Sequence, residues 1–193
     1  MEVRRNSGLM WEALNIVAGL VAFGYFVSIS IATRQHFSSE KYPLGMYLIS
    51  ALSLVGLYLF MRFAFVFALN NFVVSAALIL IAFALFVWAL KHSREKKLSL
   101  AFDEETRIDG IIVSGPWKYV RHPFYVSYVL FWLGCALGTL HLASIMVAAA
   151  LLFIYAYSAA REEAALKLGR YGGDYVEYRK RAGFFLPRIT SRN

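Results

Sequence analysis

The sequence predicts an all-α, polytopic membrane protein with about five transmembrane helices and a C-terminal amphipathic helix on the cytoplasmic side. Three observations carry this. First, 60% of the 193 residues are hydrophobic, and the mean hydropathy is +0.56, well above a soluble domain of this size. Second, several apolar runs approach or exceed the roughly 20 residues that a helix needs to cross a bilayer. Third, none of these runs shows the short alternating pattern of a membrane strand.

Taken in order, the spans fall at 13–33, 44–69, 72–91, 124–140 and 143–160. The first run is too long for a signal peptide and lacks a small-x-small cleavage site, so it reads as a helix. Ser38-Ser39 and Tyr42-Pro43-Leu44-Gly45 break the chain before the second span. Asn70-Asn71 marks a tight turn before the third. Only Thr139 to Leu142 separates the fourth and fifth, which makes them an antiparallel hairpin. The segment 92–123 is the one long polar stretch inside the fold, and loops of that length are usually functional or disordered. The tail from Glu162 to about Tyr178 reads as a surface helix interrupted by Gly172-Gly173. The whole is a single membrane domain, with a three-helix front (1–91) and a functional back half (92–193).

The formal charge is +8, and all the Lys and Arg residues except Arg4, Arg5 and Arg62 fall on one side of this topology. The positive-inside rule then places the C-terminus in the cytoplasm and the N-terminus outside. Arg62 interrupts an apolar run near the outer end, where it is expected to snorkel to headgroups. Because the basic residues border membrane spans, the bilayer explains them better than nucleic acid does. Cys135 stands alone in an apolar helix, so no intramolecular disulfide can form. The histidines have no partners at metal spacing, and no metal site is expected. No phosphate loop or Ser-centred elbow is present.

Two polar clusters flank the hairpin. Before it comes Gly115-Pro116-Trp117-Lys118-Tyr119-Val120-Arg121-His122-Pro123-Phe124-Tyr125, and after it Arg161-Glu162-Glu163. Pro123 suits the first turn of a helix. Arg121 and His122 at such a helix start suit an anion. Trp117, Tyr119, Tyr125 and Tyr128 offer faces for a purine or a sulfonium, but such aromatics also belong to ordinary interfacial belts. Glu162 and Glu163 are either a solvated helix end, favoured by the dipole at the start of the tail helix, or a binder of ribose hydroxyls or an amine. Gly134 and Gly138 are expected to pack against the alanines of the fifth span.

The run from Gly115 to Tyr125, followed by Glu162-Glu163 and Tyr171-Gly172-Gly173-Asp174-Tyr175-Val176-Glu177-Tyr178, resembles the isoprenylcysteine carboxyl methyltransferase and phospholipid methyltransferase superfamily over about residues 108–188. The resemblance implies an S-adenosylmethionine-dependent methyltransferase with a lipophilic or lipid acceptor. It implies cofactor contacts from Asp109, Gly110, Ile111, Ile112, Trp117, His122, Pro123, Phe124, Tyr125, Glu162 and Glu163. The carboxyl methyltransferases carry an arginine one turn before the binding glutamate, where this chain has Ser158. Arg161, Tyr125 and Ser158 are the candidates to orient the acceptor, and a neutral amine or a thiol suits Ser158 better than a carboxylate. Two other readings are an NADPH-dependent enzyme of the sterol-reductase kind and a non-catalytic membrane assembly or sensing protein.

Overall fold

A computed structural model describes residues 2–36, 44–93 and 111–188. Within these residues lie six α-helices: α1 (Glu2–His36), α2 (Leu44–Arg62), α3 (Phe72–Ser93), α4 (Pro123–Thr139), α5 (Leu142–Leu168) and α6 (Gly172–Arg181). No strand occurs among the described residues. Among the described residues four helices are long and apolar enough to span a bilayer, and α4 is a shorter apolar helix of 17 residues. Their outward faces carry large apolar side chains such as Leu20, Leu54, Leu80 and Phe153. In water these would be a liability. In lipid they are the expected solvent-facing surface.

Beyond Arg62 the helix widens into a π-helical turn over Phe63–Phe67. Ala68 then takes φ 73° and ψ 150°, a conformation essentially restricted to glycine. Asn70 completes the turn: its backbone N–H donates to the Gly138 carbonyl at 2.8 Å and its side chain to Thr139 at 2.6 Å. The turn is thereby fastened to the far end of α4. Arg62 is exposed, with its Nη1 3.3 Å from the Tyr58 hydroxyl and its guanidinium 5.2 Å over the Phe67 ring.

α4 is the central helix, held between α3 and α5. Its glycines face α3, not the alanines of α5 as the sequence suggested. A Cβ on Gly138 would stand 2.6 Å from Ser75 Oγ, and one on Gly134 3.1 Å from Ile79. The reason is steric. Ser75 is itself small and fully buried, so two small surfaces meet and the backbones approach closely. Tyr25, Phe60, Phe86, Phe131 and Leu151 fill the core around this crossing. Tyr25 stands edge-on to Phe131 with centroids 4.9 Å apart, the geometry favoured by ring quadrupoles.

The other departure concerns the end of the hairpin. α5 runs unbroken from Leu142 to Leu168, so Glu162 and Glu163 lie inside it rather than at the start of a tail helix. The run from Ala159 to Leu168 is rich in strong helix formers and gives the helix no reason to stop. The break comes at Gly169–Tyr171, and Gly172-Gly173 opens α6 instead of interrupting a helix. The two carboxylates therefore stand toward the negative end of a helix dipole. Their stabilisation has to come from side chains.

Candidate functional site

Those side chains arrive from the loop ahead of α4. Gly115–Lys118 forms a short 3₁₀ turn that buries Pro116 and Trp117. The chain then passes through Arg121 and His122 into Pro123, the first residue of α4. The proline fixes the start of the helix without forfeiting a hydrogen bond. Because α4 and α5 are antiparallel neighbours, this start lies beside the last turns of α5.

Glu163 is the hub. It is buried and accepts from Arg121 Nε at 2.6 Å. His122 Nε2 lies 3.3 Å from the same oxygen. Arg179 of α6 brings its Nε to 3.2 Å from the other oxygen as an ion-pair contact, without hydrogen-bond alignment. Two buried charges repay their desolvation only when such partners surround them. Arg121 also donates to the Ala182 carbonyl at 2.5 Å. One guanidinium thus joins α5 to the end of α6.

Glu162 is held differently. Tyr125 donates its hydroxyl to Glu162 Oε1 in a short hydrogen bond. The second oxygen of Glu162 stands 3.7 Å from His122 Nδ1, and the side chain keeps 23% of its surface exposed. His122 therefore sits between the two glutamates. Burial holds His122 below the ordinary imidazole value, against the pull of Glu163. Its neutral form is the one present at neutral pH.

Aromatic rings enclose the polar groups. Tyr125 stacks on Tyr155 with centroids 5.6 Å apart, and Tyr128 lies 5.6 Å from Tyr155. Trp117 stands edge-on to Phe124 at 5.8 Å. Tyr178 of α6 donates to the Trp117 carbonyl at 2.7 Å, and burial raises its phenol above the usual value.

The structure thus gathers His122, Tyr125, Glu162 and Glu163 into one cluster, with Pro123 forming the helix start. Trp117 and Phe124 are buried alongside, as is Ile112, while Ile111 is half-buried. Asp109 and Gly110 lie outside the described residues. Ser158 is buried with its hydroxyl donated to the Ile154 carbonyl at 2.9 Å. Arg161 stands on the exposed side of α5, its guanidinium 6.0 Å over the Tyr157 ring.

Sequence reasoning missed Tyr155, Arg179, Phe184 and Phe185. Tyr155 is one ring among many in an apolar span and carries no local signal. Phe184-Phe185-Leu186-Pro187 does carry one, an apolar run in an otherwise polar tail. Phe184 and Phe185 lie 5.1 Å and 6.2 Å from the His122 ring.

A search of curated proteins finds no match. A protein-family model described as phospholipid methyltransferase matches residues 70–172. That match begins earlier than the sequence motifs do, because it takes in α3, the helix that packs most closely on α4. It covers α4, α5 and Arg121, His122, Tyr125, Glu162 and Glu163, and ends before Arg179. The chain belongs to the phospholipid methyltransferase family, within the integral membrane methyltransferases.

Proposed function

We propose that this protein transfers a methyl group from S-adenosylmethionine to a lipophilic acceptor delivered by the bilayer. The observation that carries the reading is the Tyr125–Glu162–His122 arrangement, built from two ends of one hairpin inside the region matched to the family.

The residues fit the cofactor. A carboxylate with one oxygen incompletely satisfied can accept from ribose hydroxyls. The same charge attracts a sulfonium, and the Tyr125 face adds cation–π attraction. His122, held neutral by burial, offers a ring nitrogen without adding a competing positive charge. When bound, S-adenosylmethionine supplies an electrophilic methyl group. The protein's part is to align that group with the acceptor and to exclude water, the two effects that such a transfer needs most. Tyr125, fixed through Glu162, sets the floor of the site. Tyr155 buttresses Tyr125 by stacking.

In this reading Glu162 serves the cofactor, while Glu163 serves the scaffold, since Arg121, His122 and Arg179 already surround it. The acceptor is an amine or a thiol rather than a carboxylate. Ser158, which stands where a carboxylate partner would be needed, spends its hydroxyl on its own helix. The site faces the cytoplasm, in keeping with the distribution of Lys and Arg.

A methyl-transfer assay with radiolabelled S-adenosylmethionine tests this, comparing lipid amines, hydrophobic thiols and farnesylcysteine analogues, with NADPH binding as the control. Transfer to an amine or thiol is expected. Efficient methyl-ester formation on farnesylcysteine contradicts the acceptor class, and NADPH binding in place of S-adenosylmethionine contradicts the cofactor.

A further inference from the structure

His122 is roofed by a segment that lies beyond the matched region. α6 ends at Arg181, and the chain then turns back across the start of α4. Gly183 makes that turn possible. A Cβ there would run into the Leu186 carbonyl oxygen and stand 3.0 Å from the Arg188 nitrogen. Two backbone hydrogen bonds fasten the turn: Arg121 N–H to the Gly183 carbonyl at 2.7 Å, and Gly183 N–H to the Tyr119 carbonyl at 2.9 Å. Phe184 and Phe185 stack on one another with centroids 4.6 Å apart. Both stand over the imidazole, and Arg121 lies 5.6 Å from the Phe184 ring.

With this pair in place His122 is only 8% exposed. A ligand the size of a nucleoside needs the roof to move before it can reach the imidazole. The covering segment is short.

We propose that Ala182–Phe185 is a gate over the His122–Glu162 pocket, with the Phe184–Phe185 pair as its moving wall and the Arg121–Glu163 ion pair as its latch. The proposal rests on the reading that this pocket holds S-adenosylmethionine. Opening exchanges the two backbone bonds and the Arg121–Ala182 bond for bonds to water. The Tyr125–Glu162 bond belongs to the hairpin and survives. On closing, the phenyl pair covers the occupant with apolar aromatic surface that excludes water and suits a purine ring. The latch works because one guanidinium spans both sides. Arg121 is aimed at Ala182 by its bond to Glu163. Removing the carboxylate charge frees the guanidinium to leave the carbonyl.

The test uses the full chain in detergent micelles. Phe185→Cys is made in a Cys135→Ser background and labelled with a water-soluble maleimide. Adding Glu163→Gln is expected to speed labelling at least about tenfold, the scale of one lost charge-assisted hydrogen bond. Saturating S-adenosylmethionine is expected to slow labelling in the latched protein by a similar factor. Should the Glu163→Gln protein fail to fold, Tyr178→Phe provides a second way to loosen the segment, by removing its bond to Trp117. Labelling unchanged by the latch substitution overturns the gate. So does S-adenosylmethionine that binds by calorimetry without slowing labelling. If S-adenosylmethionine does not bind at all, the cofactor reading fails, and the latch comparison still decides whether the segment opens.

Discussion

Tyr125 and Glu162, 37 residues apart, are joined by a short hydrogen bond that ties the first turn of α4 to the end of α5. It holds one carboxylate oxygen and leaves the other turned toward His122. Tyr125→Phe keeps the ring and its stack on Tyr155 but removes the donor. We expect cofactor affinity to fall about fivefold, the value of a single hydrogen bond of about 1 kcal/mol. Titration calorimetry measures this. Unaltered affinity in a folded variant contradicts a role for the bond in positioning Glu162.

The Arg121–Glu163 pair should also matter for stability. Both side chains are nearly inaccessible, at 9% and 6% exposure. Removing one partner leaves the other charge buried and uncompensated. We expect Arg121→Ala to lower unfolding free energy by about 3 kcal/mol. Arg121→Lys should recover little of this, because an ammonium cannot reach Glu163 and the Ala182 carbonyl with separate donors in the same fork. Denaturant titration in detergent, followed by tryptophan fluorescence, reads the difference. A variant as stable as wild type contradicts the hub assignment.

Ala68 offers a test far from the site. Its φ of 73° with ψ of 150° is costly for any residue with a Cβ. Ala68→Gly is expected to stabilise the protein by about 1 kcal/mol, strain relief outweighing the extra backbone entropy of glycine. A thermal midpoint that falls on substitution contradicts this.

His122 predicts a pH dependence of stability. Burial depresses its folded value, while the unfolded chain titrates near the ordinary value of about 6.5. Below that pH the unfolded state binds a proton that the folded state refuses, so stability falls as pH drops. The loss levels off once pH passes below the depressed folded value. Glu162, Glu163 and Arg121 face the ring and titrate or carry charge themselves, so the comparison is between wild type and His122→Gln. The wild-type protein should lose more stability between pH 7.5 and 5.5. Identical slopes for the two proteins contradict a buried neutral imidazole.

Much of this architecture is legible in the chain. Apolar run length alone locates the spans, since a bilayer sets a minimum helix length that soluble folds do not impose. Pro123 announces the start of α4, and the four residues from Thr139 to Leu142 force the hairpin that brings His122 to Glu162. Boundaries inside continuous helix-forming sequence are not legible. The helix-forming run from Ala159 to Leu168 supports a helix either way, so nothing local shows whether it extends α5 or starts a separate tail helix. The partner of Gly134 and Gly138 was likewise a tertiary matter, settled by Ser75 on α3 rather than by the more abundant alanines of α5. Arg179, separated from Glu163 by a turn and a helix, meets it only because α6 folds back.

The central claim is that His122 and Glu162 form one cofactor pocket across the α4–α5 hairpin. Titration calorimetry of purified protein with S-adenosylmethionine tests it most directly, with His122→Ala and Glu162→Ala alongside. We expect the wild-type protein to bind and each variant to bind at least about tenfold more weakly, as when a buried polar contact is lost, while both retain wild-type helix content by circular dichroism. Folded variants that bind S-adenosylmethionine as tightly as the wild type would contradict the account.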